Sequence, residues 1–271
     1  MAPHHQIKTV ETNSFSMDYL KFGRGERALV IIPGLSVQSV MLSASDIAKA
    51  YQLLADDFTI YVFDRRKQPP ATYPIREMAR DTAEAIQALG LGHVAIMGAS
   101  QGGMIAMTMA IEHPGLVSEL ILCSTTACET KDLRQTIKRW VQLAKAGNTR
   151  ELYLDFGEAI FPKWTFEQLR ALLIESAKSV TDEDLDRFVI LAEGMKGFDV
   201  SGDLDKISCP VLLVGSEDDQ VVGADATRQI AERLGGRPDF ELHMYDGYGH
   251  AAYDTAPDFK ERILRFLMQV G

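Results

Sequence analysis

One short run could do covalent chemistry. Gly98-Ala99-Ser100-Gln101-Gly102-Gly103 follows the apolar run 93–98 and precedes Met104-Ile105-Ala106-Met107, which is apolar on every side. A G-x-S-x-G turn between a strand and a buried helix strains the serine backbone and lifts its hydroxyl above the sheet. Gly98 and Gly102 fit because a Cβ at either place would strike the opposing main chain. The helix that follows aims the Gln101 N–H and the positive end of its dipole at any oxyanion forming beside Ser100. A serine hydroxyl is a weak nucleophile at its free pKa and needs a base.

Six histidines are available. His4 and His5 lie at the terminus, His93 opens a strand, His113 closes a helix and His243 sits inside a strand. His250 lies in the glycine-bracketed loop Asp246-Gly247-Tyr248-Gly249-His250 after the last strand, at the same sheet edge as Ser100. It is the expected base. A base of this kind is held in one tautomer by a carboxylate, and the turn Glu217-Asp218-Asp219 offers three. Three carboxylates in one turn cannot all be buried and paired, so one is expected to orient His250 and the others to face solvent.

The elements that must position these groups can be read from patterning. Apolar runs rich in Val, Ile and Leu recur at 28–33, 58–64, 93–98, 119–124, 211–216 and 239–245. Each reads as a strand buried on both faces of a parallel sheet. Segments 8–11 and 16–22 read as an antiparallel hairpin. Helical patterns fill 77–89, 225–234 (stopped by Gly235) and the stretch opened by Pro257, with Phe259, Ile263, Phe266 and Leu267 as its buried face. Strands alternating with helices imply an α/β fold with right-handed crossovers. Between 131 and 199 the alternation stops and every pattern is helical. Leu133, Ile137, Trp140 and Ala144 form one stripe; Leu185, Phe188, Val189 and Ala192 form another, ended by Gly194. Thr165-Phe166-Glu167-Gln168 reads as a capping box. This stretch is expected to be a helical cap (131–199) over a core made of 1–130 and 200–271. Trp140, Tyr153, Phe156, Phe161 and Trp164 would either line a pocket beneath it or form its own core.

Composition narrows the function class. The chain has 271 residues, is 46% hydrophobic and 24% charged, and carries a net charge of −10. That is ordinary for a globular protein long enough to bury a full core. Nucleic acid is an unexpected partner for so acidic a chain, because phosphate contacts need a basic surface. No apolar run approaches the ~18 residues of a membrane span, and the polar start shows no leader pattern. A cytoplasmic protein without a membrane partner is expected. Cys123, Cys128 and Cys209 show no C-x-x-C spacing and no His/Cys cluster, so neither a disulfide framework nor a metal site is expected.

Taken together, these motifs resemble the α/β-hydrolase superfamily over essentially the whole length. The matching phrases are Val30-Ile31-Ile32-Pro33-Gly34-Leu35, the run Gly98 to Gly103, the phrase from Phe198-Asp199 to Cys209-Pro210 and Gly215, and Gly249-His250 before the final helix. The resemblance implies an eight-stranded, mostly parallel sheet flanked by helices, with a helical cap insertion. It implies a Ser100, Asp218, His250 triad, because the family acid stands three residues after Gly215. It also implies an oxyanion hole made by the Leu35 and Gln101 amides. The match departs from the family at Pro33, where His is more frequent, and at Asp64-Arg65-Arg66-Lys67, which lacks the usual D-x-R-G continuation.

The expected function is a serine hydrolase that cleaves a small-molecule carboxylic ester or lactone through an acyl-enzyme, with no metal or organic cofactor. A carbon–carbon bond hydrolase or a cofactor-free perhydrolase or haloperoxidase would use the same triad. A non-catalytic binding protein on this fold is the alternative of another class. Neither the physiological substrate nor the oligomeric state can be read from the sequence.

Overall fold

The computed structural model describes residues 4–270; Met1, Ala2 and Pro3 of the polar start and Gly271 lie outside the described residues. Eight strands form one open sheet: β1 (His5–Glu11), β2 (Ser16–Gly23), β3 (Arg27–Ile32), β4 (Phe58–Arg66), β5 (Val94–Ala99), β6 (Val117–Cys123), β7 (Val211–Ser216) and β8 (Phe240–Tyr245). Their spatial order is β1-β2-β4-β3-β5-β6-β7-β8. The β1–β2 and β2–β4 pairs are antiparallel, and every pair from β4 to β8 is parallel. The expected hairpin forms with Val10 opposite Met17, and it draws in His5, which is a strand residue rather than part of a loose terminus.

Alternation along the central strands sorts side chains to two faces. Val30, Ile32 and Ile96 point to one face with Met104 and Met107; Leu29, Ile31, Val62 and Met97 point to the other with Phe259 and Phe266. The first face is covered by α2 (Ile75–Ala88), α3 (Gln101–Glu112) and α8 (Ala224–Leu234). The second is covered by α1 (Ala44–Ala50) and α10 (Phe259–Val270), with the single turn α9 (Ala252–Thr255) between β8 and α10. The last helix starts two residues after Pro257, because a turn occupies Pro257 and Asp258, where the sequence placed its beginning. Strands buried on both faces were expected throughout. They hold for β5 and β7, but β8 is an edge strand with no neighbour on one side, and its Leu242 is exposed.

Four helices lie between β6 and β7: α4 (Lys131–Lys145), α5 (Thr149–Ile160), α6 (Lys163–Ser176) and α7 (Asp182–Glu193). Their entry and exit chains run side by side, with Glu129 N donating to Phe198 O (2.7 Å) and Val200 N to Ala127 O (2.8 Å). The capping box is not at Thr165. Pro162 already caps α6, so Thr165 falls inside the first turn with its buried hydroxyl unpaired. The box forms at Thr181, whose hydroxyl accepts from Asp184 N (3.1 Å) while the Asp184 carboxylate accepts from Thr181 N (3.0 Å).

Chain order places the site. From β3 the chain crosses to β4 on one side and then returns to β5 on the other. This opens a crevice at the carboxyl ends of β3 and β5, where open α/β sheets bind ligands. The loop after β3 and the turn after β5 therefore meet there.

Candidate active site

Ser100 occupies the turn from β5 into α3 with φ 53° and ψ −120°, a left-handed backbone that few non-glycine residues adopt. The surrounding main chain imposes it. Ser100 N donates to Cys123 O (2.8 Å), and Thr125 Oγ1 donates to Ser100 O (2.7 Å). A Cβ on Gly98 would lie 2.3 Å from Gly102 O, and one on Gly102 would lie 1.9 Å from Ile32 O and 2.6 Å from Pro33 O. The two glycines therefore let the turn after β5 press directly on the main chain leaving β3. Gly34 is as close to the serine: a Cβ there would stand 3.2 Å from Ser100 Cβ. Neither the Leu35 nor the Gln101 main-chain N–H has a hydrogen-bond partner among the described residues, which suits both amides to receive an anion.

His250 is buried, 2% exposed, and shares one cavity of about 640 Å³ with Ser100, Gly34 and Leu35. The carboxylate that holds it is Asp219, not Asp218. His250 Nδ1 lies 2.8 Å from Asp219 Oδ2 and 3.0 Å from Oδ1. Asp219 Oδ1 also accepts from the amides of Val221 (2.8 Å) and Val222 (3.1 Å). Burial alone would raise the Asp219 carboxyl; His250 and the two amides outweigh it and leave its pKa below the ordinary aspartate value. Asp218 turns the other way. It accepts from Ser216 Oγ (2.6 Å) and from the amides of Gly247 (3.2 Å) and Gly249 (3.1 Å), so it pins the loop that carries His250 without touching the ring. Neighbouring side chains in a tight turn diverge, and one residue of offset from Gly215 exchanges the two roles. Glu217 faces solvent and pairs with Arg228.

Behind Pro33 and Ser39, which line the opposite side of the cavity, lies a charged network that the sequence did not reveal. Asp64, at the end of β4, accepts from Ser39 Oγ (2.5 Å), Arg187 Nη2 of α7 (2.7 Å) and Arg65 N (2.8 Å). Arg65 donates to Pro33 O (2.7 Å) and Gln101 Oε1 (3.2 Å), and Gln101 Nε2 donates to Leu191 O of α7 (2.7 Å). Burial pulls the Arg65 guanidinium down to about 10 against the opposing pull of Asp64. The break in the family pattern at residues 64–67 was the signal for this network, but its partners come from four separate segments.

Of the five aromatic residues that the sequence singles out in the helical insertion, Trp140, Tyr153, Phe156 and Phe161 line the cavity, and Trp164 is exposed. Trp140 and Phe156 also stack on each other at 4.4 Å, so they are pocket wall and insertion core at once. Among the described residues no group of three or more His, Cys, Asp or Glu side chains is placed to hold a metal ion, and no helix is long and apolar enough to cross a membrane.

A sequence profile of the Alpha/beta hydrolase family matches residues 29–259. The chain belongs to that family. Relatives of the chain include the "Putative carbamate hydrolase RutD" of Agrobacterium fabrum, 26% identical over 226 residues that cover 80% of this chain and 85% of the relative. Solved structures with the same fold include MGS-M2, an alpha/beta hydrolase enzyme from a Medee basin deep-sea metagenome library. It has a TM-score of 0.86 at 20% identity and covers 97% of this chain and 98% of its own. The enol-lactonase of Burkholderia xenovorans LB400 has a TM-score of 0.80 at 16% identity, covering 96% and 100%.

Proposed function

We propose that this hydrolase cleaves a carboxylic ester or lactone through an acyl-enzyme on Ser100. The observation that carries the reading is the Asp219–His250 pair beside the same cavity as Ser100. With Nδ1 committed to Asp219, Nε2 is the nitrogen left to move protons. His250 takes the Ser100 proton as the hydroxyl attacks the carbonyl carbon, and the negative charge collects on the carbonyl oxygen. The Leu35 and Gln101 amides receive that oxygen. Collapse of the intermediate expels the alcohol, which takes the proton back from His250. Water, activated by the same imidazole, then releases the acid and restores Ser100. Asp219 orients the ring and stabilises the imidazolium, the part that the family resemblance implied for Asp218. The four-helix insertion acts as the cap over the pocket. Its apolar lining suits a hydrophobic acyl or alcohol group.

Ser100→Ala tests the assignment. Turnover of the best ester is expected to fall by roughly 10⁶, and labelling by a fluorophosphonate probe should disappear while the melting temperature holds. Turnover within tenfold of the wild type would sink it. The relatives named carbamate hydrolase favour a second reading, in which the transferred acyl group is a carbamoyl. Esters, lactones and carbamates with one matched leaving group, assayed side by side, separate the two.

A further inference from the structure

The cavity does not end at Ser100. One arm runs beneath the helical insertion, walled by Leu133, Trp140, Phe156 and Leu173. The other turns around the carboxyl edge of the sheet and reaches Ile31, Val62, Met97 and Tyr51, side chains on the α1 and α10 face. Ser100, Gly34 and His250 stand at the waist, so a bound molecule can be gripped on both sides of the reacting carbon.

The second arm is not purely apolar. Asp254 of α9 lines it. This residue lies deep in the fold, enclosed by protein, yet a good share of its surface is accessible; the open space beside it is the cavity. Its carboxylate oxygens have no hydrogen bond and no ion pair among the described residues. The nearest cation does not reach them. Lys260 Nζ donates to the main-chain carbonyls of Tyr253 (2.7 Å) and of Asp254 itself (3.5 Å), not to the carboxylate, and lies 5.2 Å from the ring centres of Tyr51 and Phe259. Burial raises the Asp254 carboxyl above its ordinary pKa, with Lys260 opposing it from a distance. The other ionisable neighbours are Tyr51, Tyr253 and Cys123, all pushed up by burial and therefore neutral. Among the described residues nothing satisfies the charge of Asp254, and its carboxylate is accessible from a space large enough for a ligand.

We propose that the arm ending at Asp254 is a subsite for a protonated amine, so that the substrate cut at Ser100 carries an ammonium or guanidinium group on one side of the scissile bond. The proposal rests on the hydrolase reading for the second half of that statement only. Tyr51 and Tyr253 supply apolar walls for the chain that carries the cation, and Asp254 supplies its counter-charge. A charge-assisted contact of this kind is the stronger class of hydrogen bond.

Two measurements decide it. In a protein NMR titration, which needs no turnover, hexylammonium should bind the wild type about tenfold or more tighter than hexan-1-ol, the gap expected of one charge-assisted contact. Asp254→Asn should abolish that gap. Equal binding of the two compounds to the wild type, or a gap that survives in Asp254→Asn, overturns the subsite. If Asp254→Asn fails to fold, the wild-type ratio decides alone. Hexylammonium should also inhibit turnover of a neutral aryl ester competitively; binding without competition places the amine away from the waist and overturns the link to Ser100. Should no ester turn over and no fluorophosphonate label Ser100, the hydrolytic reading fails while the titration still decides the subsite.

Discussion

The two sides behind the cavity hold their charges in different ways. On the β7–β8 side one acid, one imidazole and two nearby amides make a compact pair. Asp219 accepts from amides two and three residues further on and from one imidazole, and its pKa stays low although it is buried. On the β3–β4 side the charges are gathered from afar: Asp64 joins Ser39 and Arg187, while Arg65 joins Pro33 and Gln101. That side is also less completely satisfied, with Arg65 Nε and Arg187 Nη1 buried and unpaired among the described residues. In the proposed reaction the first side serves proton transfer, while the second ties the loop after β3 and the helix α7 to the end of β4.

Substitutions can break this contrast, and the largest effect is expected on the β7–β8 side. Asp219→Asn should lower turnover by roughly 10⁴ by setting the wrong imidazole tautomer, read as kcat on an ester with the fold checked by circular dichroism. A loss no greater than that of Asp218→Asn would return the orienting role to Asp218. The pH profile sharpens the same point. Only neutral imidazole accepts the Ser100 proton, so with chemistry rate-limiting, activity should fall as the solution is made acidic, and activity that rises toward acid would contradict the base. The sign for stability follows from Asp219. Its folded pKa is depressed, so its contribution is present above the unfolded aspartate value and is lost as pH falls through the lower folded one. Asp219→Asn should therefore flatten the acid limb of a stability–pH curve.

Leu35→Pro comes next. It removes one oxyanion donor and should cost roughly 10²–10³ in turnover, provided a melting curve shows the loop still folded, since proline also restricts Gly34. Near wild-type turnover would place the second donor elsewhere. On the β3–β4 side the main effect should be on stability. Arg187→Met leaves Asp64 buried without its cation and should cost about 3 kcal/mol, read by denaturant unfolding, with turnover within about tenfold because Ser39 and the Arg65 amide still hold Asp64. A turnover loss matching that of Asp219→Asn would mean that the two sides do the same job. The smallest effect is expected from Asp218→Asn. The amide oxygen can still accept from the Ser216 hydroxyl and Gly247 N–H, while the NH2 group replaces the oxygen that accepts from Gly249 N–H; one lost hydrogen bond puts about 1 kcal/mol at stake, less than tenfold in turnover.

The same contrast explains what could be read from the residues alone. The parallel strands were legible because alternating burial on two faces leaves long runs of Val, Ile and Leu, and the runs at 28–33 and 211–216 fall within a residue of β3 and β7. The turn at Ser100 was legible because glycine is enforced there by main-chain collision. Asp219 was nearly legible: the turn was right and the residue was off by one, since no spacing rule says which side chain of a tight turn faces inward. The network of Asp64, Arg65 and Arg187 was not legible, because 123 residues separate the two members of its central ion pair. The Thr165 box failed for a related reason. Thr165 and Thr181 carry similar local signals, and only Pro162, by starting α6 early, decides between them.

The contact of Gly102 with the carbonyls of Ile32 and Pro33 has a consequence for altering this protein. The two amides proposed to hold the oxyanion are registered by main chain resting on main chain at Gly102, with the Arg65 side chain bridging Pro33 and Gln101 beside them. The residue at 35 can therefore be exchanged for any non-proline side chain to reshape the pocket floor without moving the donors, whereas an alanine at 102 would drive the turn after β5 away from the loop after β3 and pull the donors apart. Selectivity and rate are thus open to separate engineering at positions 35 and 102, which lie on opposite sides of the same crevice.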